Sequence, residues 1–114
     1  MADVEIAWTN LDKPAKQYES GRTPDGKKAH PTQKPVALMH WCLSQFLGTS
    51  LIYDPFLGSG TTLIAAQQLG RKCYGIEIEP RYVDVICQRF LNLTGESPIR
   101  ESDGAAFASC KPTR

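Results

Sequence analysis

Nine consecutive residues, Asp54-Pro55-Phe56-Leu57-Gly58-Ser59-Gly60-Thr61-Thr62, constrain this chain more than any other feature. They follow the apolar stretch Leu51-Ile52-Tyr53, which reads as a short buried strand, and lead into a helix from about Thr61 to Leu69 that stops at Gly70. Gly58 and Gly60 permit backbone torsions, and a closeness of approach, that a Cβ would block. A glycine turn placed directly after a strand lets ligand atoms lie against the main chain.

The elements around this turn are legible. Residues 72–78 (KCYGIEI) predict a second buried strand, and Pro80 opens a helix running to about Leu93, ended by Gly95. Tyr82, Val85, Ile86, Arg89 and Phe90 form the inner stripe of that helix. Upstream, Pro35 opens a further helix over VALMHWCLSQFLG, with Val36, Met39, Leu43, Phe46 and Leu47 on one face and Gly48 past its end. Residues 4–8 (VEIAW) predict a strand, and residues 10–34, with Pro14, Gly21, Pro24, Gly26 and Pro31, a long loop. The expected division is residues 1–34 (a strand plus a long loop ending in a His-Pro-Thr-Gln-Lys-Pro motif), a βαβ core over 35–95, and a disordered or loosely attached tail over 96–114. There is no internal repeat.

Strands alternating with helices of this length indicate an α/β fold. The expectation is part of a doubly wound, Rossmann-like parallel sheet with helices on both faces and a ligand site beyond the carboxyl ends of its strands.

Composition narrows the class. At 114 residues the chain is one domain at most, with a small core. No apolar run approaches a membrane span, and the amino terminus lacks the order of a secretory signal, so a cytoplasmic protein is expected. The net charge of +1 is weak for a protein that holds DNA by itself, and the mildly basic stretch from Arg22 to Lys34 reads as a solvated loop on charge alone. Cys42, Cys73, Cys87 and Cys110 lack zinc-knuckle spacing and are read as reduced thiols; no metal site is expected.

The ligand chemistry follows from acids. Glu77 lies 23 residues beyond Asp54, at the end of the next strand, where a carboxylate can accept hydrogen bonds from both ribose hydroxyls. A phosphate-binding loop would need a lysine after Gly60, and a dinucleotide loop a third glycine where Leu63 stands. Asp54 would also set a carboxylate beside a diphosphate. The same carboxylate suits a ligand carrying an ammonium group, and S-adenosyl-L-methionine (AdoMet) combines an α-amino group, a sulfonium and a ribose. For a lone Gly-x-Gly a tight turn would be explanation enough; Asp54 before it and Glu77 after it favour a ligand site.

DPFLGSGTT, preceded by HPTQKP and followed by GIEIEPRYVDVICQRF, resembles the DNA adenine-N6 and cytosine-N4 methyltransferases in which the cofactor motifs follow the catalytic motif, the beta arrangement. The resemblance covers roughly residues 30–92, and weakly the strand at 4–8. It implies that Asp54, Phe56, Gly58, Ser59, Gly60 and Thr61 line the methionine portion of AdoMet, that Glu77 binds the ribose and that Ile78 packs on the adenine. His30-Pro31-Thr32-Gln33-Lys34-Pro35 matches the motif that closes over the cofactor's amino-acid end, with Lys34 or Thr32 reaching its carboxylate. His40 reads as a surface or half-buried helix residue rather than a base, Trp8, Tyr82 and Phe90 as packing residues, and Glu79 and Arg81 as solvent-facing residues of a first helical turn.

The family's catalytic motif is Asp/Asn/Ser-Pro-Pro-aromatic. Its polar side chain and a proline carbonyl hold the target amino group, and its ring stacks on the flipped base. No such tetrapeptide occurs in these residues, so no catalytic residue is assigned. Without the strand that carries it, the strand at 51–53 is expected to keep an unpaired edge. The expectation is the cofactor half of a methyltransferase acting on adenine or cytosine in DNA: a fragment or half of a split enzyme that oligomerises or requires a complementary catalytic chain. The alternatives are an AdoMet-binding module without catalysis and a structural, complementing module.

Overall fold

The structure, a computed structural model, describes Ala7, Thr9, Asn10, residues 16–19 and residues 34–109. In chain order its elements are α1 (Val36–Ser44), β1 (Leu51–Asp54), α2 (Thr61–Gln68), β2 (Lys72–Gly75), α3 (Pro80–Thr94) and a short 3-10 turn (Phe107–Ser109). The strand expected at 4–8 and most of the loop to residue 33 lie outside the described residues.

The boundaries follow local chemistry. Pro35 sits one position before α1, at φ −62° and ψ 141°, where its missing N–H costs nothing. In α3, Pro80 takes the first helical position and the carboxylate of Glu79 caps the amide of Arg81. α2 ends with the Arg71 amide reaching back to the Ala66 carbonyl at 2.9 Å and Gly70 to Gln67 at 3.1 Å, the paired pattern of a left-handed cap.

β1 and β2 pair in parallel, Leu51 with Lys72, Ile52 with Cys73, Tyr53 with Tyr74 and Asp54 with Gly75, and α2 connects them. α2 packs on β2 and against both α1 and α3. It forms the centre of the molecule: Ile64, Ala65 and Ala66 are buried with Thr61 and Thr62, and Ile86 of α3 completes the core. The alanines let the neighbouring helices approach closely enough to exclude water. The Arg71 guanidinium donates to the Leu43 carbonyl at 2.7 Å, tying the α2–β2 connection to the end of α1.

Three expectations are corrected. Neither strand is buried: Leu51, Tyr53, Tyr74 and Ile76 are all more than half exposed, because no described element covers their face, while Ile52 and Cys73 on the other are half-buried. β2 ends at Gly75, short of residue 78, as the chain leaves the strand to meet the glycine loop. Leu47 does not join the α1 face. The helix closes in i→i−3 hydrogen bonds from Gln45 to Cys42 and Phe46 to Leu43, which turn Leu47 out to 88% exposure.

The expected loose tail is, over residues 96–109, a turned segment. An antiparallel bridge joins Ile99 and Ala106, and the Gly104 amide donates to the Arg100 carbonyl. Arg100 also grips Asp103 through two hydrogen bonds, Nε to Oδ1 at 3.0 Å and Nη2 to Oδ2 at 2.6 Å. No helix among the described residues is long and apolar enough to cross a membrane.

The core predicts a graded response to glycine replacement. Gly60 has φ +87°, and a Cβ there would stand 2.7 Å from Ile86 Cγ1, whereas at Gly48, with φ +82°, nothing lies within 4 Å. Both alanine variants incur the left-handed backbone cost of roughly 1–2 kcal/mol. Gly60→Ala carries an added overpacking cost of about 1–3 kcal/mol, and urea midpoints of the two variants measure the difference. A second prediction concerns the tail. The hydrogen bonds from Arg100 and from the Ala105 amide hold the Asp103 carboxyl at about 2, against an ordinary 3.8. The folded value is depressed, so the contribution is present above about pH 3.8 and is lost as the pH falls through 2. NMR titration should place Asp103 there, and Arg100→Met should return it toward its ordinary range.

Candidate functional site

The carboxyl ends of β1 and β2 lie side by side, and the glycine loop crosses them. The Ile76 amide donates to the Asp54 carbonyl at 3.0 Å and the Leu57 amide to the Ile76 carbonyl at 2.9 Å, so the loop is sewn to the chain leaving β2. Gly75 makes this crossing possible: a Cβ there would fall 2.4 Å from Leu57 Cγ.

Two carboxylates shape the loop. Asp54 Oδ1 accepts from the Phe56 amide at 2.9 Å, an Asx turn that bends the chain immediately after β1. Its second oxygen has no hydrogen-bond partner among the described residues. Glu77 Oε1 accepts from the Gly58 amide at 2.7 Å and Oε2 from the Glu79 amide at 2.9 Å. One side chain therefore joins the glycine loop to the start of α3, through charge-assisted bonds of the stronger kind. Phe56 and Ile78, 86% and 94% exposed, stand beside these acids with their apolar surface in water.

Ser59 and Thr61 belong to a different layer. Both are buried, and Arg89 Nη1 donates to the Ser59 carbonyl at 2.9 Å, to Ser59 Oγ at 3.2 Å and to Thr61 Oγ1 at 3.3 Å. The Thr61 hydroxyl donates in turn to the Lys34 carbonyl at 3.2 Å. Of the residues predicted from sequence, Asp54, Phe56, Gly58 and Glu77 are thus linked at the strand ends, with Ile78 next in the chain. Gly60 backs onto Ile86, Ser59 and Thr61 turn toward α3, and Lys34 meets the loop through its main chain. His30 and Thr32 lie outside the described residues.

The three described thiols offer no nucleophile. Burial pushes Cys42, Cys73 and Cys87 up, and the negative charges of Asp54 and Asp84 add to the effect at Cys73 and Cys87, so all three stay protonated at neutral pH. No cluster of metal-ligating side chains occurs among the described residues. A cavity of about 280 Å³ between α2, β2 and α3, bordered by Leu63, Cys73 and Phe90, includes neither Asp54 nor Glu77. It is separate from the strand-end acids.

The sequence pattern of the N6/N4 DNA methylases matches residues 3–88. The chain belongs to the DNA methylase family. It is similar to the type II methyltransferase M.HinfI of Haemophilus influenzae, with 47% identity over 66 residues, which are 57% of this chain and 18% of that protein. Among solved structures it resembles the M1.HpyAVI–SAM complex, with a TM-score of 0.52 and 42% identity over 55% of this chain and 32% of the other. It also resembles the cytosine-N4-specific PvuII DNA methyltransferase, with a TM-score of 0.52 and 31% identity over 66% of this chain and 29% of the other. The chain spans less than a third of the length of each of these proteins.

The architecture is accordingly a partial Rossmann-like methyltransferase fold, and the glycine loop crosses its strand ends where such sheets take their ligands. Within this family fold, the part played by Arg89 was not foreseen. The available signal was its place inside the apolar stripe of α3, where a charge needs a buried partner. The bonds of Glu77 make a further prediction. Glu77→Ala leaves the Gly58 and Glu79 amides without their acceptor, at a cost of about 1–3 kcal/mol. Amide hydrogen exchange at those two positions should accelerate while Ala65 and Ala66 keep their protection.

Proposed function

We propose that this chain is the AdoMet-binding segment of a DNA methyltransferase that modifies the exocyclic amino group of adenine or cytosine, acting with a segment that supplies the catalytic tetrapeptide. The observation that carries the proposal is the pair of carboxylates at the ends of adjacent parallel strands, with a glycine loop between them.

The residues present fit the cofactor. Asp54 keeps one oxygen open for an ammonium donor, and Glu77 retains lone pairs for hydroxyl donors while its amide bonds fix its orientation. Phe56 and Ile78 offer exposed apolar surface for the thioether chain and the adenine. The Gly58–Thr61 main chain closes the floor of the site, and Lys34, Thr32 and His30 serve its amino-acid end. When bound, AdoMet supplies an electrophilic methyl group on its sulfonium; the protein's task is to orient it and keep water away.

Two features support a complementary segment. β1 pairs with β2 alone among the described residues, so one row of its amides and carbonyls lacks sheet partners. The face bearing Leu51, Tyr53, Tyr74 and Ile76 is exposed. A second polypeptide segment carrying a strand and its helix would satisfy both. DNA is then held mainly by that segment, consistent with a net charge of only +1 here.

Calorimetry with AdoMet tests the site. The parent chain should bind, and Asp54→Ala or Glu77→Ala should weaken binding by about tenfold or more, the loss expected for a charge-assisted hydrogen bond. No heat at millimolar AdoMet, or parental affinity in both variants, would overturn the assignment. Methyl transfer to DNA, followed with tritiated AdoMet, should be absent for the chain alone and appear when a polypeptide bearing the catalytic tetrapeptide is added.

A further inference from the structure

We propose that Arg89 is a positioning residue that holds the glycine loop in its ligand-ready shape and so sets the affinity of the site; the second half of this statement rests on the AdoMet reading above. α3 presents Ile86 and Arg89, one helical turn apart, to the back of the loop. Ile86 fixes Gly60 by contact, since no side chain can stand between them. Arg89 fixes the residues on either side, through the Ser59 carbonyl, the Ser59 hydroxyl and the Thr61 hydroxyl. Thr61 passes the restraint on to the Lys34 carbonyl, at the entry to α1. The Arg89 guanidinium thus links α3 to the glycine loop and, through Thr61, to the main chain at Lys34.

The Nη1 group of Arg89 lies within reach of three oxygens, the Ser59 carbonyl and the Ser59 and Thr61 hydroxyls, and its charge strengthens the bonds it makes to them. Ser59 and Thr61 are also nearly buried, so the oxygens that Arg89 serves have little water to turn to. A loop preset in this way loses less conformational entropy when a ligand binds than one ordered only by that ligand. Arg89 does not need to touch the cofactor to do this.

Arg89→Met keeps the long apolar stem and removes the donors; Arg89→Lys keeps the charge. Both are compared with the parent by AdoMet calorimetry, amide hydrogen exchange and circular dichroism on the full chain. For Arg89→Met we expect a native helical spectrum, unchanged protection at Ala65 and Ala66, exchange at Gly58–Thr62 faster by about tenfold, and AdoMet binding weaker by about tenfold, with Arg89→Lys intermediate in both readouts. Unchanged loop exchange, or unchanged affinity in a folded Arg89→Met protein, overturns the proposal. If Arg89→Met loses its helical spectrum, the Ser59→Ala/Thr61→Val double variant removes both hydroxyl acceptors with Arg89 intact, and the same outcomes decide. If the parent itself binds no AdoMet, the functional reading falls with the affinity half of this proposal, and loop exchange alone decides whether Arg89 positions the loop.

Discussion

The crossing of Gly60 over Ile86 is the constraint on which the rest of the site depends. A left-handed residue with no side chain, at φ +87°, lies directly against helix α3. That contact sets how far the loop can sink between α2 and α3, and so the level at which Gly58 meets Glu77 and Ser59 meets Arg89. It also sets the start of α2, because Gly60 is the residue from which that helix begins. With no side-chain cap at this end, the loop that precedes the helix has to be fixed by other means. Those means are the carboxylate of Glu77 on one side and the guanidinium of Arg89 on the other.

The two acids at the strand ends hold the loop itself. Asp54 and Glu77 each spend carboxylate oxygens on amides of their own chain, Phe56 for the first, Gly58 and Glu79 for the second. Glu77, held by two backbone donors, cannot swing away from its strand end, and Asp54 is held by one. This is the condition for presenting a fixed pattern of acceptors to a ligand rather than a mobile charge.

The sequence made the order of elements, their helix ends and the strand-end acids legible, because each rests on a local rule. Pro80 and Gly95 bracket α3 as proline and glycine bracket helices generally, and the apolar stretches before DPFLGSGTT and after the helix that follows it mark the strands. What was not legible depends on partners distant in the chain. The pairing of Arg89 with Ser59 spans 30 residues, and nothing near either position announces it. Ser59 and Thr61 look like ligand-facing residues from their place in the loop, yet their side chains point to α3, because only the fold decides which side of a loop faces a helix. The turn over residues 96–109 is not legible in the sequence for a related reason. Its composition is small and polar, and its order comes from one bidentate Arg100–Asp103 pair and a few main-chain bonds rather than from apolar periodicity.

The exposure of the strands is the more instructive difference. Leu51-Ile52-Tyr53 and Tyr74-Gly75-Ile76 are nearly continuous apolar runs, the pattern of parallel strands covered on both faces, and nothing in them alternates as a half-solvated strand does. The described residues cover one face only, and the buried apolar core amounts to Ile64, Ala65, Ala66 and Ile86. Two of these are alanines, which remove little apolar area from water, so the hydrophobic contribution of this core is modest. The strands are written for a sheet larger than the one they form here. Their tyrosines pair across the β1–β2 register, Tyr53 beside Tyr74, on the face left open. Behind the glycine loop, by contrast, a polar network joins Arg89, Ser59, Thr61 and the Lys34 carbonyl. Among the described residues, one face of this two-stranded sheet is left open.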